Sequence, residues 1–263
     1  MIQSIAANVQ VFLLVFFRVV AMVEVAPLFS STTIPQAAKI GFSFFTAAGV
    51  FPWVLEAKYP IPGNPVDYFL LVLGEAAIGL LIGFLLLLVF SAFQVAGQFF
   101  SLQMGFGASE VFDPLSQVEI PLMGEFLNLI ALLVFITTSG LSKFLLTGVA
   151  RSFEYLRAVD LVLHKEAIAQ TLVRGLGGLF ESALTISFPI LGTLLLVSIT
   201  MGLLAKASPQ MDILSMGFPL AIGVSFLMLF ATLPFLMTAF DRIIGNGLEA
   251  IGGFIVEVGK GAQ

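Results

Sequence analysis

An all-α, polytopic helical membrane-type fold is what this sequence predicts, and three observations predict it. Hydrophobic residues fill 59% of the 263 positions and charged residues only 10%, far outside the composition of a soluble domain. Apolar runs long enough to cross about 30 Å of hydrocarbon recur along the chain. Between them no polar stretch is long enough for a separate soluble domain, so residues 1–263 are expected to form one compact helical unit of about six long apolar helices with bent or broken segments. The absence of cysteine removes disulfides, thiolate chemistry and cysteine-held metals. A net charge of −5 without a basic cluster argues against nucleic acid as a partner.

The first apolar segment covers about residues 9–28, interrupted by Arg18 and Glu24. No positive n-region and no cleavage site precede it, so it is expected to stay in the protein. Six positions place the two charges roughly 240° apart around a helix, too far for a local pair, so each needs a partner elsewhere or a route to the interface. Burial at subunit contacts is the expectation for both, with loss of either leaving a costly charge. Residues Ser30 to Pro35 turn the chain and offer capping oxygens. The second segment, residues 37–55, is short for a crossing once Pro52 is counted. Pro60, Pro62, Gly63, Asn64 and Pro65 then mark a rigid surface loop.

The third segment, residues 68–100, is unusual because Ala76 to Ser109 carries no charge at all. A continuous helix of that length exceeds the hydrocarbon thickness and must tilt, bend or protrude. Gly79 and Gly83 have the GxxxG spacing that lets helices approach closely. The fourth segment, residues 121–146, opens with Pro121 and Glu125, both suited to a helix start. Residues 143–178 are the most polar region, with helical spacing of Leu145, Val149, Phe153 and Leu156, and read as an amphipathic helix at an interface or against a partner. His164, the only histidine, has no ligand-type companions and reads as a surface residue. Segments 179–205 and 213–240 form an antiparallel hairpin about the turn Lys206 to Asp212, with bends expected at Pro189, Pro219 and Pro234. Residues 241–263 put Ile244, Leu248, Ile251, Ile255 and Val258 on one face of a second amphipathic helix.

With six crossings, Lys58, Lys143, Arg151, Arg157, Lys165, Arg174, Arg242 and Lys260 fall on one side and only Lys39 and Lys206 on the other. The basic side, which holds the C-terminus, is expected to be cytoplasmic.

Site chemistry is mostly missing. No HExxH, GxSxG, Walker or Rossmann pattern occurs, no cofactor is implied, and Glu75, Glu125 and Glu181 read as interfacial carboxylates at the ends of apolar runs. Catalysis is therefore not expected. What stands out is the stretch Gln98 to Pro121, QFFSLQMGFGASEVFDPLSQVEIP, where glycines, prolines and carboxylates interrupt two apolar runs. It reads as a long loop that folds back into the protein, since Phe99, Phe100, Met104, Phe106, Val111 and Phe112 argue against disorder.

Two stretches carry a family resemblance. Met104 to Pro114, MGFGASEVFDP, followed by Ile120 to Gly140, resembles the region of the FliR/SctT export-apparatus family that leads into its fourth apolar segment. Gly202 to Phe226 is similar to the family's Ala-x-x-Pro-Gln turn (Pro209, Gln210) and Gly-Phe-Pro helix (Gly217, Phe218, Pro219). The resemblance implies a non-enzymatic subunit of the flagellar type III protein export gate. Its implied place is the bacterial inner membrane within the flagellar basal body, assembled with FliP and FliQ, contacted by FlhB and near FlhA. Unfolded export substrates would pass the pore. It further implies that the loop after the third segment plugs the closed pore, which here corresponds to Met104, Gly105, Phe106, Gly107, Glu110, Val111, Phe112, Asp113 and Pro114. The same resemblance implies apolar helices buried partly against FliP and FliQ rather than lipid. A virulence type III secretion subunit is the alternative, and a stand-alone small-solute transporter a more distant one, disfavoured by the lack of an internal repeat.

Overall fold

A computed structural model of the chain describes residues 2–31, 33–56, 59–105, 122–208 and 213–260. The described residues form helices and connections, with no strand among them. In chain order they are α1 (Ile2–Val25), α2 (Gln36–Glu56), α3 (Pro65–Met104), α4 (Leu122–Thr137), α5 (Gly140–Leu145), a π-helical turn (Leu146–Arg151), α6 (Ser152–Tyr155), α7 (Ala158–Leu163), α8 (Lys165–Ala207) and α9 (Ile213–Lys260). Five of these are long and apolar enough to cross a membrane, and a sixth crossing results if the bent pair Leu122–Thr137 and Gly140–Tyr155 counts as one.

Local chemistry sets the ends of the helices. Before α3, the Asn64 carboxamide accepts the Val66 N–H at 3.1 Å, Pro65 occupies the first helical position where its missing N–H costs nothing, and Asp67 meets the positive end of the helix dipole. The 40 residues of α3 extend roughly 60 Å at 1.5 Å per residue. Between α4 and α5, Ser139 adopts a left-handed conformation (φ 58°, ψ 27°). Pro52, Pro189, Pro219 and Pro234 all lie inside helices that continue past them.

The tail is not a separate element, because α9 runs unbroken from Ile213 to Lys260. Region 143–178, by contrast, breaks into pieces. Leu156 and Arg157 are extended (φ −118°, ψ 122° and φ −111°, ψ 158°). Asp160 Oδ2 accepts the Arg157 N–H at 2.7 Å, restarting the chain as α7, so in place of the single amphipathic helix expected there stand the end of α5, the π-helical turn, the short helices α6 and α7, and the start of α8.

By its own contacts the chain divides into two compact units, Met1–Val89, Ile136–Leu176 and Ile244–Gln263 forming one, Phe90–Phe135 and Gly177–Ile243 the other. In the first, Leu14, Val19, Met22, Ile78, Ile82 and Ile251 are buried. Gly79 and Gly83 set the spacing of α3 against α1: a Cβ on Gly79 would lie 2.0 Å from the Arg18 carbonyl oxygen, and one on Gly83 2.7 Å from that of Met22. Side chains longer than hydrogen would force the two backbones apart. In the second unit, Phe90 packs edge-on to Phe135 at 5.4 Å and Phe93 meets Phe240 at 4.5 Å. Gly97 and Gly124 bring the backbones of α3 and α4 together, with a Cβ on Gly97 placed 2.4 Å from the Gly124 nitrogen.

Candidate functional site: a buried charge node and the end of the third helix

Arg18 is fully buried, on the face of α1 that meets α3. An isolated guanidinium there would be prohibitively costly, and the structure compensates it with four hydrogen bonds to three acceptors. Its Nε donates to Glu75 Oε2 at 2.7 Å and its Nη2 donates to the same oxygen. Nη1 donates to Ser152 Oγ at 2.7 Å, and Nη2 also reaches the Leu156 carbonyl at 3.1 Å. The guanidinium carbon lies 3.6 Å from the centre of the Phe153 ring, a cation–π contact. Glu75, also fully buried, takes the Tyr59 hydroxyl on its second oxygen. The Ser152 hydroxyl in turn donates to the Val149 carbonyl at 2.9 Å.

Four separate stretches of sequence converge on this node. α1 brings Arg18, the connection before α3 brings Tyr59, α3 brings Glu75, and the π-helical turn with the start of α6 brings Ser152. Burial first, and the Glu75 carboxylate second, push the Tyr59 hydroxyl well above the usual phenol range. Opposite charges and directed hydrogen bonds satisfy one another, so the node is a tie between segments and offers no group poised for proton transfer to a substrate.

Glu75 corrects the sequence reading. It is not an exposed carboxylate at the end of a helix, because α3 starts at Pro65 and carries Glu75 three turns into the helix, where it is fully buried. Glu125 and Glu181 are exposed; Glu125 accepts from Gln94 at 3.2 Å. Arg18 and Glu24 part company. Glu24, with 44% of its side chain exposed, faces Lys39 at 3.3 Å and Gln36 at 3.0 Å. Sequence reasoning missed Tyr59, Ser152, Gly97 and Gly124. A buried arginine demands a carboxylate somewhere, and that demand was the available signal for Glu75.

The second place of interest is the end of α3. Met104 is buried, and Gly105 ends the helix with φ 90°, a conformation that L side chains resist, its N–H donating to the Leu102 carbonyl at 3.1 Å. A Cβ on Gly105 would lie 2.2 Å from Cδ1 of Phe218. The structure thus joins the Met-Gly motif to the Gly-Phe-Pro motif, 113 positions apart by numbering (218 − 105). Gly217 is half-buried, and Phe218 and Pro219 are exposed. Phe106, Gly107, Glu110, Val111, Phe112, Asp113, Pro114, Pro209 and Gln210 lie outside the described residues. Among the described residues, no group of three or more His, Asp or Glu side chains could hold a metal.

Comparison with known proteins accounts for this combination of apolar helices and absent chemistry. The family described as bacterial export proteins, family 1, matches residues 9–247. The flagellar biosynthetic protein FliR of Bacillus subtilis strain 168 is 32% identical over 253 residues, covering 94% of this chain and 95% of the relative. FliR of Borreliella burgdorferi is 32% identical over 246 residues, 92% of this chain and 89% of the relative. FliR of Escherichia coli K12 is 26% identical over 246 residues, 92% and 91% of the two chains. With a match across nearly its whole length, the chain belongs to the FliR family of bacterial export proteins, non-enzymatic membrane components of the export apparatus.

Proposed function

We propose that the chain is a subunit of the flagellar type III protein export gate. In this reading it assembles with FliP and FliQ homologues, is contacted by FlhB near FlhA, and helps line the pore for unfolded substrates. The observation that carries the reading is the family match over residues 9–247, reinforced by relatives whose names place them in flagellar biosynthesis. Burial supports it too. The apolar windows of α8 and α9 are only 11% and 17% buried within the chain, leaving long apolar surfaces that lipid or neighbouring subunits must cover.

In the closed gate, the stretch from Met104 to Pro121 serves as the plug. Supporting this is its point of departure: Met104 is buried and Gly105 is seated on Phe218, so the stretch begins from a fixed base. Glycine at the exit permits a change of direction there. The cytoplasmic C-terminus follows from the bias of Lys and Arg.

Co-purification of the tagged chain with FliP and FliQ homologues is the first test, and a chain that purifies alone with saturable solute uptake in vesicles would overturn the gate reading. Deleting Met104 to Glu110 in the assembled complex tests the plug. Ion conductance is expected to rise, and unchanged conductance with normal secretion would rule the plug out.

A further inference from the structure

The connection between the candidate span ending at Tyr155 and the one starting at Lys165 holds a short helix whose two faces differ sharply. α7 is fixed on its inner side. Ala158 sits against Gly74 of α3, where a Cβ on the glycine would come within 2.5 Å, and Asp160 is buried, its carboxylate engaged by the Arg157 N–H. The outer side carries Val159, Val162 and Leu163, which are 62%, 76% and 65% exposed. Their i, i+3, i+4 spacing puts them on one face.

Charge surrounds this face unevenly. From Arg151 to Arg174 the exposed charges are Arg151, Arg157, Lys165 and Arg174 against Glu154 and Glu166. The third acid of the stretch, Asp160, is turned inward. The surface therefore presents aliphatic side chains edged by cations, with its nearest anion hidden. Six helical residues extend only roughly 9 Å, so α7 stays at the level where the two flanking spans begin and end. Aliphatic contact at that level combined with surplus positive charge is the chemistry of an anionic lipid surface.

We propose that the outer face of α7 docks on an anionic bilayer surface, with Val159, Val162 and Leu163 at the boundary of headgroups and acyl chains and Arg157 and Lys165 over lipid phosphates. Docking would set the depth at which the connection between these two spans sits. It is independent of the plug.

Because the chain has no cysteine, Val162→Cys gives a unique attachment point for a polarity-sensitive fluorophore in the full-length chain. The labelled chain is reconstituted in nanodiscs of phosphatidylcholine, alone or mixed with phosphatidylglycerol. Blue-shifted emission and quenching by headgroup-proximal nitroxide lipid are expected in the anionic discs. Each of Arg157→Gln and Lys165→Gln should cut the ratio of docked to undocked probe about fivefold, the factor for about 1 kcal/mol per cation at such a surface. An unchanged melting temperature of these variants confirms that the bundle itself is intact, and variants that melt lower are replaced by reversing ionic strength on the parent, where salt must release the probe. Water-like emission in both kinds of disc overturns the proposal. So does a shift equal in neutral and anionic discs, or protection that arises only once partner proteins are added, which would assign the face to a protein instead.

Discussion

Gly105 and Phe218 touch so closely that a single added carbon on the glycine would fall 2.2 Å from the ring. The left-handed backbone at Gly105, φ 90°, makes the same position resist a side chain for a second, independent reason. Gly105→Ala is expected to cost about 1–3 kcal/mol from backbone strain alone, with more from the clash. Phe218→Ala removes the clash but not the strain. The double variant should therefore recover part of the loss, with a coupling of about 0.5–3 kcal/mol in a double-mutant cycle of thermal unfolding in detergent. Strict additivity would mean that the two residues do not meet.

Arg18 gives the largest expected effect of a single substitution. Arg18→Met strands Glu75 in an apolar interior and is expected to destabilise by about 3–5 kcal/mol. Replacing both, as Arg18→Met with Glu75→Leu, should restore most of that loss, since an apolar pair of similar volume often matches a buried ion pair. Thermal melts of the parent and the two variants check the order: parent near the double variant, Arg18→Met well below.

Tyr59→Phe leaves a carboxylate oxygen of Glu75 without its donor, at an expected cost of about 1–3 kcal/mol at neutral pH. Above pH 10 the comparison changes. The folded-state hydroxyl is held protonated above its unfolded value of 10.0, so its contribution is fully present below pH 10 and declines as pH rises toward the folded value. The stability gap between the parent and Tyr59→Phe should thus be constant up to about pH 10 and then shrink by about 1.4 kcal/mol per pH unit. Equal slopes in both proteins would contradict the burial of Tyr59.

Two kinds of glycine should respond in opposite ways to alanine. Gly79→Ala and Gly83→Ala push the added methyl into the backbone of α1 and are expected to lower stability by about 1–3 kcal/mol each. Gly177 and Gly245 lie within helices and have open space where a Cβ would go. Alanine there should raise helix stability by about 0.5–1 kcal/mol. If Gly245→Ala stabilises the isolated chain yet impairs assembly, that position faces a neighbouring subunit.

The long helices were legible because apolar runs of that length have few alternatives: α2 and α3 fall close to the segments read from hydropathy. The interruption at Leu156 and Arg157 was not legible. Leu145, Val149, Phe153 and Leu156 keep helical spacing, and what anchors the break, Arg18 bonding to the Leu156 carbonyl, acts across 138 positions. Glu75 was misread for a related reason. Hydropathy places it at the end of an apolar run, while Asn64, Pro65 and Asp67 start the helix ten residues earlier. At the end of α3 both glycine-rich motifs could be seen, but their contact could not, since no local pattern relates positions 105 and 218.

The ion pair at the node also imposes an order on biosynthesis. Arg18 and Glu75 are separated by 57 positions, so a ribosome adding about 5–20 residues per second needs about 3–11 s between the two. For that interval α1 carries a cation without its counter-ion, which would cost about 2.5–3.5 kcal/mol at the centre of a lone helix in lipid. The first helix is therefore a poor candidate for immediate release into the bilayer. Its charge is compensated only once α3 brings the Glu75 carboxylate.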